Sequence, residues 1–185
     1  MKAVLISIRP KWCQKIISGE KTIEVRKTRP RLNPPFKCYI YCTKAEKRLV
    51  FILKDGDENY GEIYHGKMVF GKVEKGSVCD MWGKRQEVVG EFICDAITRV
   101  NLCGFWDDSG KQLDNRLKET CLTSKEFCDY LGEKVGYGWH ISNLKIYDTP
   151  RELREFTGLR QTKFGAELVT ITCPPQSWCY VEERT

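Results

Sequence analysis

An α+β fold, a small closed β-barrel with short helices packed at its ends, is the architecture that this sequence predicts. Three observations lead to it. Apolar residues recur in several short runs with the two-residue period of strands. Only a few stretches carry the i, i+4 spacing and the start and stop residues of helices, and those stretches are short. The connections between them are long, and no segment repeats. With 185 residues, 41% of them hydrophobic and 30% charged, the chain is globular rather than disordered and can bury a core without staples. We read residues 1–185 as one domain with a variable insertion of hairpins and loops at about 54–87.

In chain order, residues 2–8 form an almost wholly apolar run, the pattern of a buried strand. Arg9-Pro10 breaks it, and Pro10 suits the first turn of a helix, where its missing N–H costs nothing. That helix spans 10–18, with Trp12 and Ile16 on one side, flanked by Cys13 and Ile17, and Gly19 stops it. Residues 21–27 then alternate: Ile23 and Val25 point one way, and Thr22, Glu24 and Arg26 point the other. A basic, proline-rich loop at 29–35 leads to a strand at 36–43, and a further apolar run follows at 49–53. The insertion carries the turn signals Asp55-Gly56, His65-Gly66 and Lys75-Gly76. A long strand occupies 88–100, with Gly90 marking a bend or bulge. Thr123 or Ser124 caps a helix to about Gly132 whose apolar residues are Phe127, Cys128 and Leu131. A strand covers 137–147, Pro150 opens a short helix to Phe156 with Leu153 and Phe156 inward, and 177–181 is a final strand. Residues 101–122 and 157–172 carry no clear period.

The apolar run at 3–8 is too short for a signal peptide, and no stretch approaches the roughly 20 apolar residues of a membrane span. A cytoplasmic protein with no membrane partner is the expectation. In that compartment the ten cysteines act as reduced, small core residues rather than as disulfides. Cys38 and Cys42 lie in one strand at even spacing, so both thiols share a face. No Cys-x2-Cys knuckle occurs and only two histidines are present, so no metal and no cofactor is expected. A metal site here would have to gather Cys38, Cys42, Cys173 and Cys179. Gly-rich phosphate loops, zinc-protease helices and Gly-x-Ser-x-Gly elbows are also missing from the sequence.

The net charge of +6 is unevenly spread. Residues 1–50 hold 13 Lys and Arg against 3 Asp and Glu, whereas the rest hold 18 against 22. Such asymmetry suggests a basic face built by the first third of the chain and suited to a polyanion; the alternative is an ordinary solvated surface.

At the centre of that third stands Gly19-Glu20-Lys21-Thr22-Ile23-Glu24-Val25-Arg26. It resembles the ASCH domain family, a branch of the PUA-like superfamily, whose pattern Gly-x-Lys-x-x-x-x-Arg sits between the first helix and the second strand. Gly19, Lys21 and Arg26 match that pattern. Residues 138–147 and 174–181 also resemble a subgroup common in bacterial and phage genomes. The likeness covers most of the chain outside 54–87 and 157–172. It implies a β-barrel whose cleft, beside the first helix, accepts RNA or a nucleoside. Some relatives hydrolyse the acyl amide of an N4-acetylated cytidine with a Lys, a Thr three residues later and a Glu on a central strand. Carried over, the Lys is Lys21 and the acid is Glu91, but Glu24 stands where the Thr belongs, and a carboxylate is a poor substitute for a hydroxyl nucleophile. Thr22 is the neighbouring hydroxyl on the same strand face.

The residue types carry a reading of their own. A lysine at a strand start meets a phosphate or, when desolvated, serves as a base. A carboxylate such as Glu24 accepts from a cytosine amino group, and an arginine such as Arg26 grips a phosphate with two N–H groups. The structural alternative is a Lys21–Glu24 or Glu24–Arg26 ion pair holding the barrel mouth. Arg9, Lys11, Lys15, Lys27, Arg29 and Arg31 are candidate phosphate contacts. Trp12 either stacks a base or joins the core. His140 shares strand parity with Ser142, Leu144 and Ile146; if these last two face the core, it lies inside the barrel or at its mouth, as a structural histidine or a general acid–base. Three functions compete: an RNA- or nucleotide-binding module, a hydrolase of a modified nucleoside or of RNA centred on Lys21, and a protein-interaction module in which the motif is architectural.

Overall fold

The apolar run at the start of the chain becomes the middle of the main sheet in the computed structural model, which describes residues 1–43, 48–50, 59–64, 67–72, 87–101, 103–107, 109–113, 116–163 and 165–184. Strand β1, Lys2–Ile8, pairs in parallel with β3, Phe36–Cys42, and antiparallel with the last strand, β13, Trp178–Glu182. It is buried on both faces. Val4, Ile6 and Ile8 enter one core, whereas Ala3 and Leu5 enter a second. A strand covered on both sides must be apolar throughout, which is why it reads without alternation.

Helix α1, Pro10–Ile17, and the short β2, Ile23–Arg26, follow. On the far side of β3 lies β7, Val88–Asn101, then β10, Gly136–Arg151, and then β2. The first core fills the space inside these strands: Phe92 and Cys94 of β7, Trp139 of β10, and Cys13 and Ile16 of α1 meet Cys38, Ile40 and Cys42 of β3. Both thiols of β3 thus share one face, while Cys173 is exposed. Four steps along the sheet from β1, β2 has come back beside it: Arg26 Nη2 donates to Ser7 O at 2.6 Å. The predicted closure therefore takes a different form. Among the described residues the backbone ladder is an open path, and the side chain of Arg26 spans the seam.

The other direction from β13 holds β11, Thr157–Thr162, and β12, Gly165–Thr170, an antiparallel hairpin in the stretch that carried no clear period. Pro150 does not open a helix. It lies in the last residues of β10, and only a 3-10 turn, Leu153–Glu155, precedes buried Phe156. The stretch 101–122 supplies β8, Gly104–Trp106, β9, Gln112–Leu113, and a second 3-10 turn, Leu117–Thr120. Helix α2, Ser124–Leu131, starts at Thr123 in a reciprocal capping box with Glu126 and buries Phe127 and Leu131, while Cys128 is exposed. Strands β4, Arg48–Val50, β5, Asn59–Tyr64, and β6, Lys67–Lys72, form a separate three-stranded antiparallel sheet. The turn signals Asp55-Gly56, His65-Gly66 and Lys75-Gly76 lie outside the described residues. Gly90 marks a bulge, as expected: Ile40 pairs with Gly90 but Tyr41 with Val88. A Cβ at Gly90 would meet the Lys145 carbonyl at 2.5 Å, so only glycine lets β10 approach there.

Candidate functional site

The motif is built by a helix stop. Ser18 caps α1, and Gly19, at φ +77°, turns the chain back so that Lys21 N bonds Lys15 O at 2.8 Å. The Lys21 side chain is buried. Its ammonium donates to Thr120 O at 2.6 Å and Ile23 O at 2.9 Å, and lies 3.3 Å from Glu24 Oε2. Glu24 Oε1 is 3.0 Å from Arg26 Nη2. All three side chains are under a tenth exposed. The motif is therefore a buried cation–anion–cation triad tied to the backbone of β1 and of the 117–120 turn. Burial is tolerable because nearly every charged donor has an acceptor. One does not: Arg26 Nε–H has no acceptor among the described residues.

The triad floors a cleft of about 800 Å³. Trp12 of α1, Glu126, Asp129 and Tyr130 of α2, Arg9, and residues 174–177 line it around the triad. That last segment is laced to β1 by Ser7 Oγ donating to Pro175 O at 2.6 Å, and Ser177 Oγ receives Arg26 Nη1 at 3.4 Å. Trp12 carries Lys11 Nζ 4.4 Å and Lys21 Nζ 5.2 Å from its ring centre. Lys11 reaches across to Glu126 Oε1 at 2.9 Å. The Glu126 carboxyl is held down at about 2, chiefly by the Thr123 backbone N–H and then by Lys11. Burial pushes the Tyr130 phenol up, with Arg26, Glu24 and Arg9 close enough to influence it. The lining is balanced rather than basic: Arg9, Lys21 and Arg26 face Glu24, Glu126 and Asp129.

Arg9, Trp12, Lys21, Glu24 and Arg26 thus come together, whereas other candidates do not. Thr22 precedes β2 and is exposed, its hydroxyl 3.4 Å from Glu119 Oε2. Glu91 accepts from the Tyr147 hydroxyl at 2.6 Å, lies 3.9 Å from Lys37 Nζ and is not part of the cleft lining. His140 is outside the lining too. Strand parity does not carry from His140 to Leu144 and Ile146, because β10 shifts register between Trp139 and Ile141 and again between Ser142 and Lys145. Its Nδ1 lies 3.3 Å from Arg116 Nη1 and its Nε2 3.3 Å from Thr98 Oγ1. The arginine donates, so the ring proton sits on Nε2 and points to Thr98; burial, then Arg116, lowers the pKa of His140. Lys15 pairs with Glu20 at 2.6 Å. Lys27, Arg29 and Arg31 follow the strand outside the cleft. Among the residues that sequence reasoning missed are Tyr130, Glu126, Asp129, Ser7 and Tyr41. The one available signal was Tyr130, an aromatic three residues after Phe127 that flanks the apolar stripe of Phe127 and Leu131.

No family model matches the sequence, and no curated protein is significantly similar to it. Solved structures are similar. ASCH from Zymomonas mobilis superposes with a TM-score of 0.56 at 17% identity, over 98% of this chain and 88% of that one. A tyrosine-to-phenylalanine mutant of the same protein gives 0.56 at 18% identity, over 99% and 92%. A serine-to-alanine mutant gives 0.55 at 17%, over 98% and 89%. These likenesses show the fold: this chain has the ASCH-domain fold.

Proposed function

We propose that the chain binds a nucleotide, free or within RNA, in the cleft between α1, β2, α2 and residues 174–177. The observation that supports this most is a single lining that combines two aromatic side chains, Trp12 and Tyr130, with the buried, preorganised triad. Trp12 and Tyr130 offer π-faces on which any base stacks. Glu24 keeps lone pairs beyond those used by Lys21 and Arg26, so it accepts from an exocyclic amino group. Arg26 Nε–H waits for an acceptor, as a buried donor requires one. Arg9, the cation of the lining that lies outside the triad, takes the phosphate. The balanced lining argues for reading a base, with the phosphates left toward the mouth.

The hydrolytic reading needs Lys21, a hydroxyl and an acid within reach of one another. Lys21 and Glu24 meet, but Thr22 and Glu91 face other partners. The ammonium of Lys21 also has three acceptors for its three N–H groups, which suits a fixed charge better than a base. Binding is therefore the preferred function. The test is calorimetric titration with the four nucleoside 5′-monophosphates and a mixed single-stranded RNA, using the wild type, Arg9→Ala and Trp12→Ala. Trp12→Ala is expected to weaken binding about 10-fold, the usual worth of one stacked base. Absence of binding, or affinity indifferent to both substitutions, would overturn the proposal. Mass spectrometry after incubation with N4-acetylcytidine separates the alternative: deacetylated product that vanishes in Lys21→Ala replaces binding with hydrolysis.

A further inference from the structure

Beyond the cleft, cations and rings continue in pairs along the chain that leaves Arg26. Lys27 Nζ lies 5.0 Å from the ring centre of Tyr130, the residue that also walls the cleft. Arg29 lies 5.9 Å from the ring centre of Tyr137, which pairs with Arg26 across β2 and β10. The connecting loop is held against the end of β13: Trp178 Nε1 donates to Thr28 Oγ1 at 3.0 Å, and Arg31 N donates to the Tyr180 hydroxyl at 2.7 Å. Pro30 is buried, while Lys27 and Arg31 are exposed and Arg29 is half-exposed. The loop backbone is thus anchored by hydrogen bonds and a buried proline, and every second residue is a cation. In an extended chain such residues stand at most about 7 Å apart.

We infer that this loop carries a single-stranded polynucleotide out of the cleft, so that the preferred ligand is a strand of several nucleotides rather than a mononucleotide. The inference rests on the cleft reading and extends it. Its chemistry is that of single-strand grooves generally: a row of cations tracks phosphates while rings with exposed faces stack bases, without demanding a sequence. Tyr130 is common to the two parts: it lines the cleft, and Lys27 lies over its ring. The acidic wall of the cleft, Glu126 and Asp129, directs phosphates toward the 27–31 side.

The test measures affinity for cytidine 5′-monophosphate and for mixed single-stranded RNAs of three and ten nucleotides, at fixed salt. The decamer is expected to bind about 10-fold tighter than the monophosphate or more, from phosphate contacts that the monophosphate lacks. The double variant Lys27→Ala/Arg29→Ala is expected to remove most of that gain while monophosphate binding stays within about twofold. Arg160→Ala/Lys163→Ala removes the same charge from β11 and the turn that follows it, and is expected to leave decamer binding unchanged. A decamer that binds no tighter than the monophosphate overturns the inference alone. So does a Lys27/Arg29 variant with full decamer affinity, or a β11 variant that weakens the decamer equally. If no probe binds at all, the cleft reading falls and this inference falls with it.

Discussion

Glu24 decides the character of the site because it is the single anion between two buried cations. Lys21 and Arg26 both touch it, at 3.3 and 3.0 Å. Glu24→Gln keeps the shape but leaves two cations uncompensated, and removal of one partner from a buried ion group costs about 3–5 kcal/mol. Urea unfolding should show a loss of that size; a loss below about 1 kcal/mol would mean that solvent already screens the triad. His140 gives a second residue-scale expectation. Its folded pKa is depressed by burial and by Arg116, so the folded state resists protonation more than the unfolded chain does. Its contribution to stability is complete above the unfolded value near 6.5 and falls away as pH drops below it toward the folded pKa. The unfolding midpoint should therefore decline between pH 7.5 and 5.5, and His140→Gln should lack that part of the decline. A decline of equal size in the variant would assign it to other groups.

At the scale of elements, the capping box of α2 does two jobs. Thr123 and Glu126 exchange hydrogen bonds that start the helix, and Glu126 then holds Lys11 beside Trp12 across the cleft. Thr123→Ala should cost about 1 kcal/mol of stability. It should also loosen Lys11, seen as weaker salt dependence of the Trp12 fluorescence environment when compared with a Glu126→Gln control. The bulge at Gly90 is the other element on which the site depends, since β7 aligns β10, and β10 carries β2. Gly90→Ala drives a methyl into a backbone carbonyl at 2.5 Å. A destabilisation of about 1–3 kcal/mol is expected, with exchange protection of the β7–β10 amides lost first. These local devices were partly readable. Thr123 with Glu126 three residues on is a sequence signal, and so is a glycine inside a strand pattern. The register shifts of β10 on either side of His140 were not, because a bulge follows from how two strands pair.

For the whole molecule, the sheet curls until Arg26 bridges the seam to Ser7, and the cleft lies at that seam. Binding and closure are thus properties of one place. If Arg9, Lys27 and Arg29 each neutralise a phosphate, the logarithm of affinity for a ten-nucleotide RNA should fall with the logarithm of salt concentration at a slope near about −2. Lys27→Ala/Arg29→Ala should flatten it to about −0.7. A slope unchanged by that substitution would place the phosphates elsewhere.

The linear chain by itself determined which segments become buried strands, where α1 begins and ends, and which residue types gather at the turn after it. Those depend on near neighbours: the apolar run of β1, Pro10 at a helix start, Gly19 at a helix stop. The likeness of Gly19, Lys21 and Arg26 to the ASCH pattern belonged to the same level. Only the tertiary structure decided that Lys21 is consumed by Thr120 O, 99 residues away, that Arg26 meets Ser7 and Ser177, and that Tyr130 and Trp12 line one cleft. It also decided that Glu91 belongs to Tyr147 and Lys37 instead. The reason is physical: a side chain's partner is set by which backbone groups the curled sheet brings within about 3 Å, and that distance is a property of packing across the chain rather than of spacing along it.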